Sequence, residues 1–265
     1  MRRFLSLALA MMLFSAPLSL RSQAPAEADA GQQNAKQARA VLDAMVQALG
    51  GQAWLNQKNQ VREGRLASFD HGKPDAGTTK FWEYHAWPDH ERIEYTEHRD
   101  VVQFYLGRTG QEVTYKGKAA LPQDQVDDYL RRRDHSIETV IKLWLNDPNT
   151  ILIYEGQHLA ERHLADQVTL ISAQNEAVTI LMDAQTHLPL RRSFQWRDPV
   201  YKDKNLDAEE YDDYHTFDGF PTPFTISRFK NDEMVSERFY VHVSYNQELP
   251  ADFWSVDAAE RRIKK

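Results

Sequence analysis

The stretch that decides the fold is residues 224–245, FTISRFKNDEMVSERFYVHVSY. Two runs rich in aromatic and β-branched residues flank Asn231-Asp232, a pair of residues that favours a tight turn. The pattern predicts two antiparallel strands joined by a hairpin. Similar runs precede this stretch along the chain, so we expect the hairpin to belong to a larger antiparallel sheet.

Strand patterns occupy two parts of the chain and are separated by helical patterns. Residues 61–118 contain about five short runs, and residues 151–245 contain seven. Apolar residues recur at helical spacing within 34–49, before Gly50-Gly51, which indicates a helix with a glycine at its end. Residues 122–146 also have helical spacing. These patterns predict an α+β fold with about 11 antiparallel strands.

The segment 122–146 is predicted to be one helix, or two helices joined near residues 134–136. Its apolar residues fall on one face, and Arg131, Arg132 and Arg133 are expected on the outer face.

The N-terminus has the pattern of a secretory signal. Arg2 and Arg3 precede an apolar run that ends near Leu20, and small residues follow it. A membrane anchor is the alternative, but the run is short for a span of about 20 residues. The predicted organisation is a signal peptide at 1–26, a flexible leader at 27–33, a single domain at 34–260 and a basic tail at 261–265.

Composition and charge exclude several classes of function. The 265 residues include 32 Lys and Arg against 39 Asp and Glu, which gives a net charge of -7. Cleavage after residue 26 would remove three arginines and no acidic residue, and the mature chain would carry about -10. Such a chain offers no overall positive field for nucleic acid, so no nucleic-acid partner is expected. The absence of cysteine excludes thiolate catalysis, Cys-ligated zinc and a lipidated N-terminal cysteine.

The histidines do not predict a metal site. His85 and His90 are five residues apart, as are His158 and His163. Five residues place two side chains on opposite faces of a strand and point them apart on a helix. Neither pair has the spacing of a zinc protease.

The acidic residues do not predict a catalytic or calcium site either. The stretch 203–213 lacks the glycine and the terminal glutamate of a calcium loop, so it is expected to be a solvated hairpin loop. Glu83, Glu94 and Glu97 are interpreted as solvent-facing strand residues. We therefore predict no catalytic residue, no metal and no cofactor, and a protein that is not an enzyme.

Apolar side chains at alternating strand positions are the candidate ligand-binding residues. One face of a strongly curved sheet would gather them around an apolar cavity. The alternative is that they pack on the helices as a filled core. The candidates are Trp82, Tyr84, Phe104, Leu106, Ile180, Met182, Phe194, Trp196, Phe239 and Val241.

Three stretches together resemble the lipoprotein-carrier superfamily, which includes the periplasmic carrier LolA and the outer-membrane receptor LolB. They are QALGG at 47–51 with the following strand VREGRL at 61–66, the hairpin LMDAQTHLPLR at 181–191, and the paired strands YDDYHTFDGFPTPFTI at 211–226. The resemblance extends from about residue 38 to residue 256. It implies a strongly curved antiparallel half-barrel that is closed by helices and has an apolar interior.

The resemblance also implies a function. It predicts an outer-membrane lipoprotein-sorting-like protein in the periplasm that binds a lipid or lipoprotein and shields its acyl chains. Envelope membrane proteins would be donor or acceptor, and the protein would be a monomer. One alternative is a periplasmic protein-docking or envelope-assembly scaffold without lipid cargo. A remote alternative is a metal-assisted hydrolase, which would be favoured only if three or more of His85, His90, His98 and nearby carboxylates converge in one cleft.

Overall fold

The computed structural model describes residues 24–75, 77–160 and 163–264. Its main element is an open antiparallel sheet of 14 strands. The strands are β1 (Asn59–Asp70), β2 (Lys73–Pro74), β3 (Thr79–Ala86), β4 (His90–Tyr95), β5 (Val101–Leu106), β6 (Thr109–Thr114), β7 (Gly117–Ala120), β8 (Ile151–Ala160), β9 (His163–Ile171), β10 (Ala177–Asp183), β11 (Pro189–Arg197), β12 (Lys204–Phe217), β13 (Phe220–Lys230) and β14 (Glu233–Tyr245). The α+β half-barrel is confirmed. The strand count exceeds the predicted one because β2 and β7 are short and lack an apolar run.

The described helices are α1 (Ala24–Leu49), α2 (Gly51–Leu55), α3 (Gln123–Asp134), α4 (Ile137–Lys142) and α5 (Val256–Ile263). Most of the predicted signal peptide lies outside the described residues. Residues 27–33, predicted to be a flexible leader, belong to α1 here. Residues 261–263 of the predicted basic tail form the last turn of α5, a helix that the sequence analysis did not predict.

The strand order explains how a helical segment comes to cover the sheet. The order is β7-β6-β5-β4-β3-β1-β14-β13-β12-β11-β10-β9-β8, and β2 pairs with β1. The first and last long strands, β1 and β14, are therefore neighbours in the middle of the sheet. Strands β7 and β8 are the two edges, although they are consecutive along the chain. The segment that joins them, α3 and α4, must consequently cross from one edge of the sheet to the other.

Helices α3 and α4 are separate, as one of the two sequence interpretations proposed. The break falls at residues 135 and 136. Ser136 caps α4 by accepting a hydrogen bond from the backbone N–H of Thr139. The apolar faces of both helices enter the main core through Tyr129, Val140 and Ile141.

Helix α1 fills part of the concave side of the sheet. Ala38, Leu42 and Met45 recur at helical spacing and are fully buried. The helix packs on β8, β9 and β13. It ends at Gly50, whose φ of 121° suits glycine, and a Cβ there would lie 3.0 Å from the Phe220 ring. This part of the interior is therefore occupied by the chain itself.

A smaller core lies on the convex side. Ala259 of α5 packs with Val102, Phe104 and Val113. Two arginines, Arg92 and Arg262, converge on the buried Glu94 beside it. The interpretation of Glu94 as a solvent-facing residue was wrong, because the C-terminal helix covers this face of the strand.

Residues 203–213 are also placed differently from the prediction. They lie largely in β12, where Asp207 is 1% exposed. Asp207 accepts hydrogen bonds from Trp196 Nε1 at 2.8 Å and from Arg228 at 3.2 Å. The sequence analysis interpreted these charged residues as a solvated loop, but alternate residues of the segment point inward toward cationic side chains. In contrast, the hairpin turn at Asn231-Asp232 is confirmed.

None of the helices in the described part of the chain combines the length and the apolarity needed to cross a membrane.

Candidate functional site

A cavity of about 220 Å³ lies between the concave face of the sheet and the crossing segment α3 and α4. Its walls come from seven strands, β1, β3, β4 and β11 to β14, and from α1, α2, α3 and α4. The polar and charged side chains of the wall are Gln60, Arg62, Glu83, His85, Glu91, Tyr129, Arg132, Arg133, Ser136, Glu138, Thr139, Arg192, Glu209, Tyr211, Tyr214, Thr222, Arg238, Tyr240 and Tyr245. Most of the residues that line the cavity are therefore polar or charged, whereas an apolar lining was expected.

One wall is a charge network on β1, β3 and β14. Arg62 Nη1 donates to Glu83 Oε2 at 3.0 Å, and the hydroxyl of Tyr240 donates to the same carboxylate at 3.3 Å. Arg238 Nη1 lies 3.7 Å from the other Glu83 oxygen. Burial raises the pKa of Tyr240 to about 12, so its hydroxyl remains a neutral donor. Glu83, expected to face solvent, is instead 3% exposed and lies inside this network.

His85 joins the sheet to the crossing segment. Its Nε2 lies 3.2 Å from Glu138 Oε2 on α4, and its Nδ1 lies 3.7 Å from Glu91 Oε2 on β4. Burial would lower the pKa of His85, but hydrogen bonding to Glu138 and Glu91 outweighs it and raises the pKa to about 9. The imidazole is therefore protonated at neutral pH.

The two glutamates beside His85 are ionised. Burial would raise their pKa values, but His85 lowers both to about 2. Tyr129 donates to Glu91 at 2.6 Å, and Lys142 donates to Glu138 at 2.6 Å. Each carboxylate thus holds a fixed negative charge between two donors.

A third cluster surrounds Glu209 of β12. Arg192, opposite it on β11, donates from Nη2 at 2.8 Å, and the Tyr211 hydroxyl donates at 3.1 Å. Burial would raise the pKa of Glu209, but the charges of Arg192, Arg132 and Arg238 outweigh it and lower the pKa to about 2. Three arginines from three elements therefore act on one carboxylate.

The three histidines named for the hydrolase alternative do not meet in one cleft, although His85 has two carboxylates beside it. His85 lies in the cavity with two carboxylates, whereas His90 pairs with Asp89 and makes an edge-to-face contact with Trp254. His98 follows the turn after β4, where its backbone N–H bonds to Thr96. Within the described residues, no three His, Asp and Glu side chains are arranged to hold a metal ion.

The ten apolar candidates do not share one face of the sheet, and none of these described residues lines the cavity. Ile180, Met182, Phe194 and Trp196 face the concave side, where the first three are buried in the main core. The other six lie on the opposite face. Trp82 lies under Arg99, Tyr84 contacts Phe253, Phe104 and Leu106 pack near α5, and Phe239 and Val241 are exposed.

The difference arises from the period of two along a strand. On β3, Glu83 and His85 face the cavity, so Trp82 and Tyr84 must face away. On β14, Arg238 and Tyr240 face the cavity, so Phe239 and Val241 do not. The candidates on these two strands are the apolar residues at alternate positions, and these residues face away from the cavity. Whether any of the ten contacts a ligand stays a prediction.

The sequence analysis missed most of the charged wall. Arg132 and Arg133 were expected on the outer face of their helix, but both line the cavity, with side chains 18% and 11% exposed. A usable signal was present in the alternation of charged residues, such as Glu83 with His85. Charge at every second strand position was interpreted as a solvated face, whereas here it lines an enclosed space.

No family model and no curated protein sequence matches this chain. Solved structures share its fold at low identity. A DUF1329 family protein from Desulfovibrio piger aligns with a TM-score of 0.58 at 11% identity, over 85% of this chain and 99% of the other. A putative outer membrane lipoprotein-sorting protein domain from Vibrio parahaemolyticus aligns with a TM-score of 0.55 at 8% identity, over 86% and 100%.

A LolA superfamily protein from Nitrosomonas europaea aligns with a TM-score of 0.52 at 14% identity, over 83% of this chain and 98% of the other. Almost the whole of each of these structures is matched, and each match covers more than four fifths of this chain. The chain therefore has a LolA/LolB-like fold.

Proposed function

We propose that this protein is a periplasmic binding or carrier protein for a lipid or lipoprotein, and that its cavity receives the polar head of the acyl-bearing ligand. The observation that carries this proposal is the cavity on the concave face, which is lined mostly by polar and charged residues and covered by a segment that crosses the sheet from edge to edge. The LolA/LolB-like fold supports a carrier role by analogy only.

The size and lining of the cavity favour a head group over a whole acyl chain. Its volume of about 220 Å³ is below the roughly 300–1,000 Å³ of common ligand pockets. Near α4 the wall becomes apolar through Trp54, Trp87 and Ile137. An acyl chain would leave the cavity on this side, beneath the crossing segment.

A carrier of this kind requires its cover to open. Burial of about a dozen methylenes of the acyl chain, at roughly 0.8 kcal/mol each, would favour the bound ligand by about 10 kcal/mol. Release of the ligand into water would therefore be slow. Direct transfer to an acceptor needs α3 and α4 to move when a partner docks. The contact between His85 and Glu138, like that between Tyr129 and Glu91, is a polar link that such a movement would break.

The electrostatics favour binding over proton-transfer catalysis. A general acid or base works best with a pKa near the working pH. In this cavity, His85 has a pKa of about 9, and Glu91, Glu138 and Glu209 have pKa values of about 2. These groups therefore hold fixed charges at neutral pH.

The test is to purify the protein from the periplasm without detergent and to identify co-purifying molecules by mass spectrometry. Ile226→Trp would fill the cavity, whereas Val241→Trp adds the same side chain at an exposed site on the other face. We expect an amphiphile with the wild type and with Val241→Trp, and its loss with Ile226→Trp. Wild-type protein without any lipid or lipoprotein would contradict the proposal.

A scaffold for protein docking is the second candidate. Leu159 and Leu164 face each other across the β8–β9 hairpin and are 76% and 51% exposed. Exposed apolar side chains that cluster at a sheet edge favour a protein contact. Replacing both with serine should abolish capture of an envelope partner and leave the cavity ligand in place if docking occurs at this hairpin.

A further inference from the structure

The cavity holds more positive than negative charge. Five arginines and the protonated His85 carry six positive charges, and four glutamates carry four negative charges. Arg132 and Arg133 pair with Asp128 and Asp134, which do not line the cavity. The side chains that face the cavity therefore include more cationic groups than carboxylates, and an anion is the ligand they suit.

Within the described residues, Arg192 has hydrogen-bond donors without a partner. Its side chain is 1% exposed, and only Nη2 is occupied, by Glu209. Nε and Nη1 have no hydrogen-bond partner among the described residues. Buried polar atoms nearly always have a partner, so these two donors are available to an acceptor that enters the cavity.

Two further arginines have donors available near the same carboxylate. Arg238 forms only the 3.7 Å ion pair with Glu83 and, within the described part of the chain, donates no hydrogen bond. Arg132 donates from Nε to Asp128 at 3.2 Å, which leaves its two terminal nitrogens available. Burial and the nearby charge of Arg228 lower the pKa of Arg132, in accord with an excess of positive charge here.

We propose that Arg132, Arg192 and Arg238 form a subsite for an oxyanion of one or two negative charges, next to Glu209. Guanidinium groups offer planar pairs of donors that match the oxygens of phosphate and carboxylate groups. This inference rests on the proposed function for the source of the oxyanion, which is the head group of an acyl-bearing ligand. A free anion offers the same chemistry and is separated by the experiment.

The experiment measures binding by tryptophan fluorescence, with Trp54 and Trp87 in the cavity wall as reporters. The probes are dodecyl phosphate and dodecylphosphocholine, both below their micelle concentrations, and inorganic phosphate. The two amphiphiles have the same chain, and the choline group masks the charge of the second.

Arg238→Gln is the test variant, because Arg238 has the fewest native contacts of the three. Arg191→Gln is the matched control. Arg191 is next to Arg192 in the sequence but lies on the other face of β11, and its replacement causes the same change in net charge. Thermal unfolding of both variants establishes that they are folded.

We expect the wild type to bind dodecyl phosphate at least about tenfold more tightly than dodecylphosphocholine. Arg238→Gln should weaken the binding of dodecyl phosphate by about tenfold or more. Arg191→Gln should change neither value. Competition by inorganic phosphate would support the same subsite.

The other outcomes separate the two proposals. Equal binding of both amphiphiles, unchanged in Arg238→Gln, would overturn the oxyanion subsite and leave the lipid-binding function standing. Binding of inorganic phosphate without either amphiphile would support the subsite and contradict the lipid-binding function. Failure of all three probes would overturn both.

Discussion

His85 Nε2 lies 3.2 Å from Glu138 Oε2 and so joins the middle of the sheet to the helical segment that covers it. Glu91, on the strand next to His85, approaches the other nitrogen of the ring. The three side chains form a charged link between β3, β4 and α4. Because the link depends on a protonated imidazole, closure of the cavity depends on pH.

Stability should decline as the pH rises from about 6.5 to about 9. The pKa of His85 is about 9 in the folded protein, against about 6.5 in an unfolded chain. Its contribution is therefore complete below pH 6.5 and is lost as the pH approaches 9, by up to about 3 kcal/mol. Urea unfolding at pH 6 and pH 9 measures this loss of stability. The decline should flatten in His85→Gln and persist in His215→Gln, whose ring is half exposed; an equal decline in all three proteins would refute the link.

The same link predicts an acid limit. Glu91 and Glu138 have pKa values of about 2 in the folded protein, against roughly 4.3 when unfolded. They stabilise the fold above about pH 4.3, and this stabilisation is lost as the pH falls toward 2. Glu138→Gln should therefore shift the midpoint of acid unfolding to a higher pH, as followed by circular dichroism. An unchanged midpoint would show that Glu138 is not ion-paired.

Arg192 and Glu209 should be strongly coupled in stability. Removing one partner of a buried ion pair leaves the other uncompensated, so Arg192→Met or Glu209→Gln should each cost about 3–5 kcal/mol. The double variant should cost clearly less than the sum of the two. A double-mutant cycle by urea unfolding measures this coupling. Additive losses would mean that the two side chains act independently.

The packing of α1 can be tested with one buried and one exposed apolar residue. Leu42 is fully buried against the sheet, and Val241 is 62% exposed on the other face. Leu42→Ala should lower the free energy of unfolding by about 2–5 kcal/mol. Val241→Ala should change it by no more than about 0.5 kcal/mol. Similar effects at both sites would place α1 away from the core.

Asn34 protects an edge of the sheet. Its side-chain Nδ2 donates to the carbonyl oxygen of Tyr154 at 2.8 Å, and its Oδ1 accepts from the N–H of Tyr154 at 2.9 Å. Asn34→Ala should speed hydrogen exchange of the Tyr154 amide and, because β8 is an edge strand, increase self-association. Asn34→Asp keeps the acceptor and should preserve the protection of that amide. Exchange measured by NMR distinguishes the two variants.

Local patterns in the sequence determined the elements. The alternating runs predicted the twelve longer strands, because a strand that is half buried must repeat every two residues. Asn231-Asp232 predicted the last hairpin, and the apolar stripes predicted α1, α3 and α4. The resemblance of the motifs around Gly50, Asp183 and Gly219 predicted the half-barrel. These features depend on residues that are close along the chain, so the order of amino acids is sufficient to show them.

The tertiary structure decided which face of each strand is inside and what that face holds. The strand containing Trp82, Glu83, Tyr84 and His85 has two self-consistent alternating series, and either one could face the interior. Only the approach of α4 on one side and of Phe253, which precedes α5, on the other places His85 in the cavity and Tyr84 outside it. Arg132, Arg192 and Arg238 are likewise 46 to 106 residues apart. Arg192, Glu209 and Arg238 lie on the consecutive strands β11 to β14, whereas Arg132 reaches them only because the pairing of β1 with β14 makes α3 and α4 cross the sheet, which no local pattern encodes.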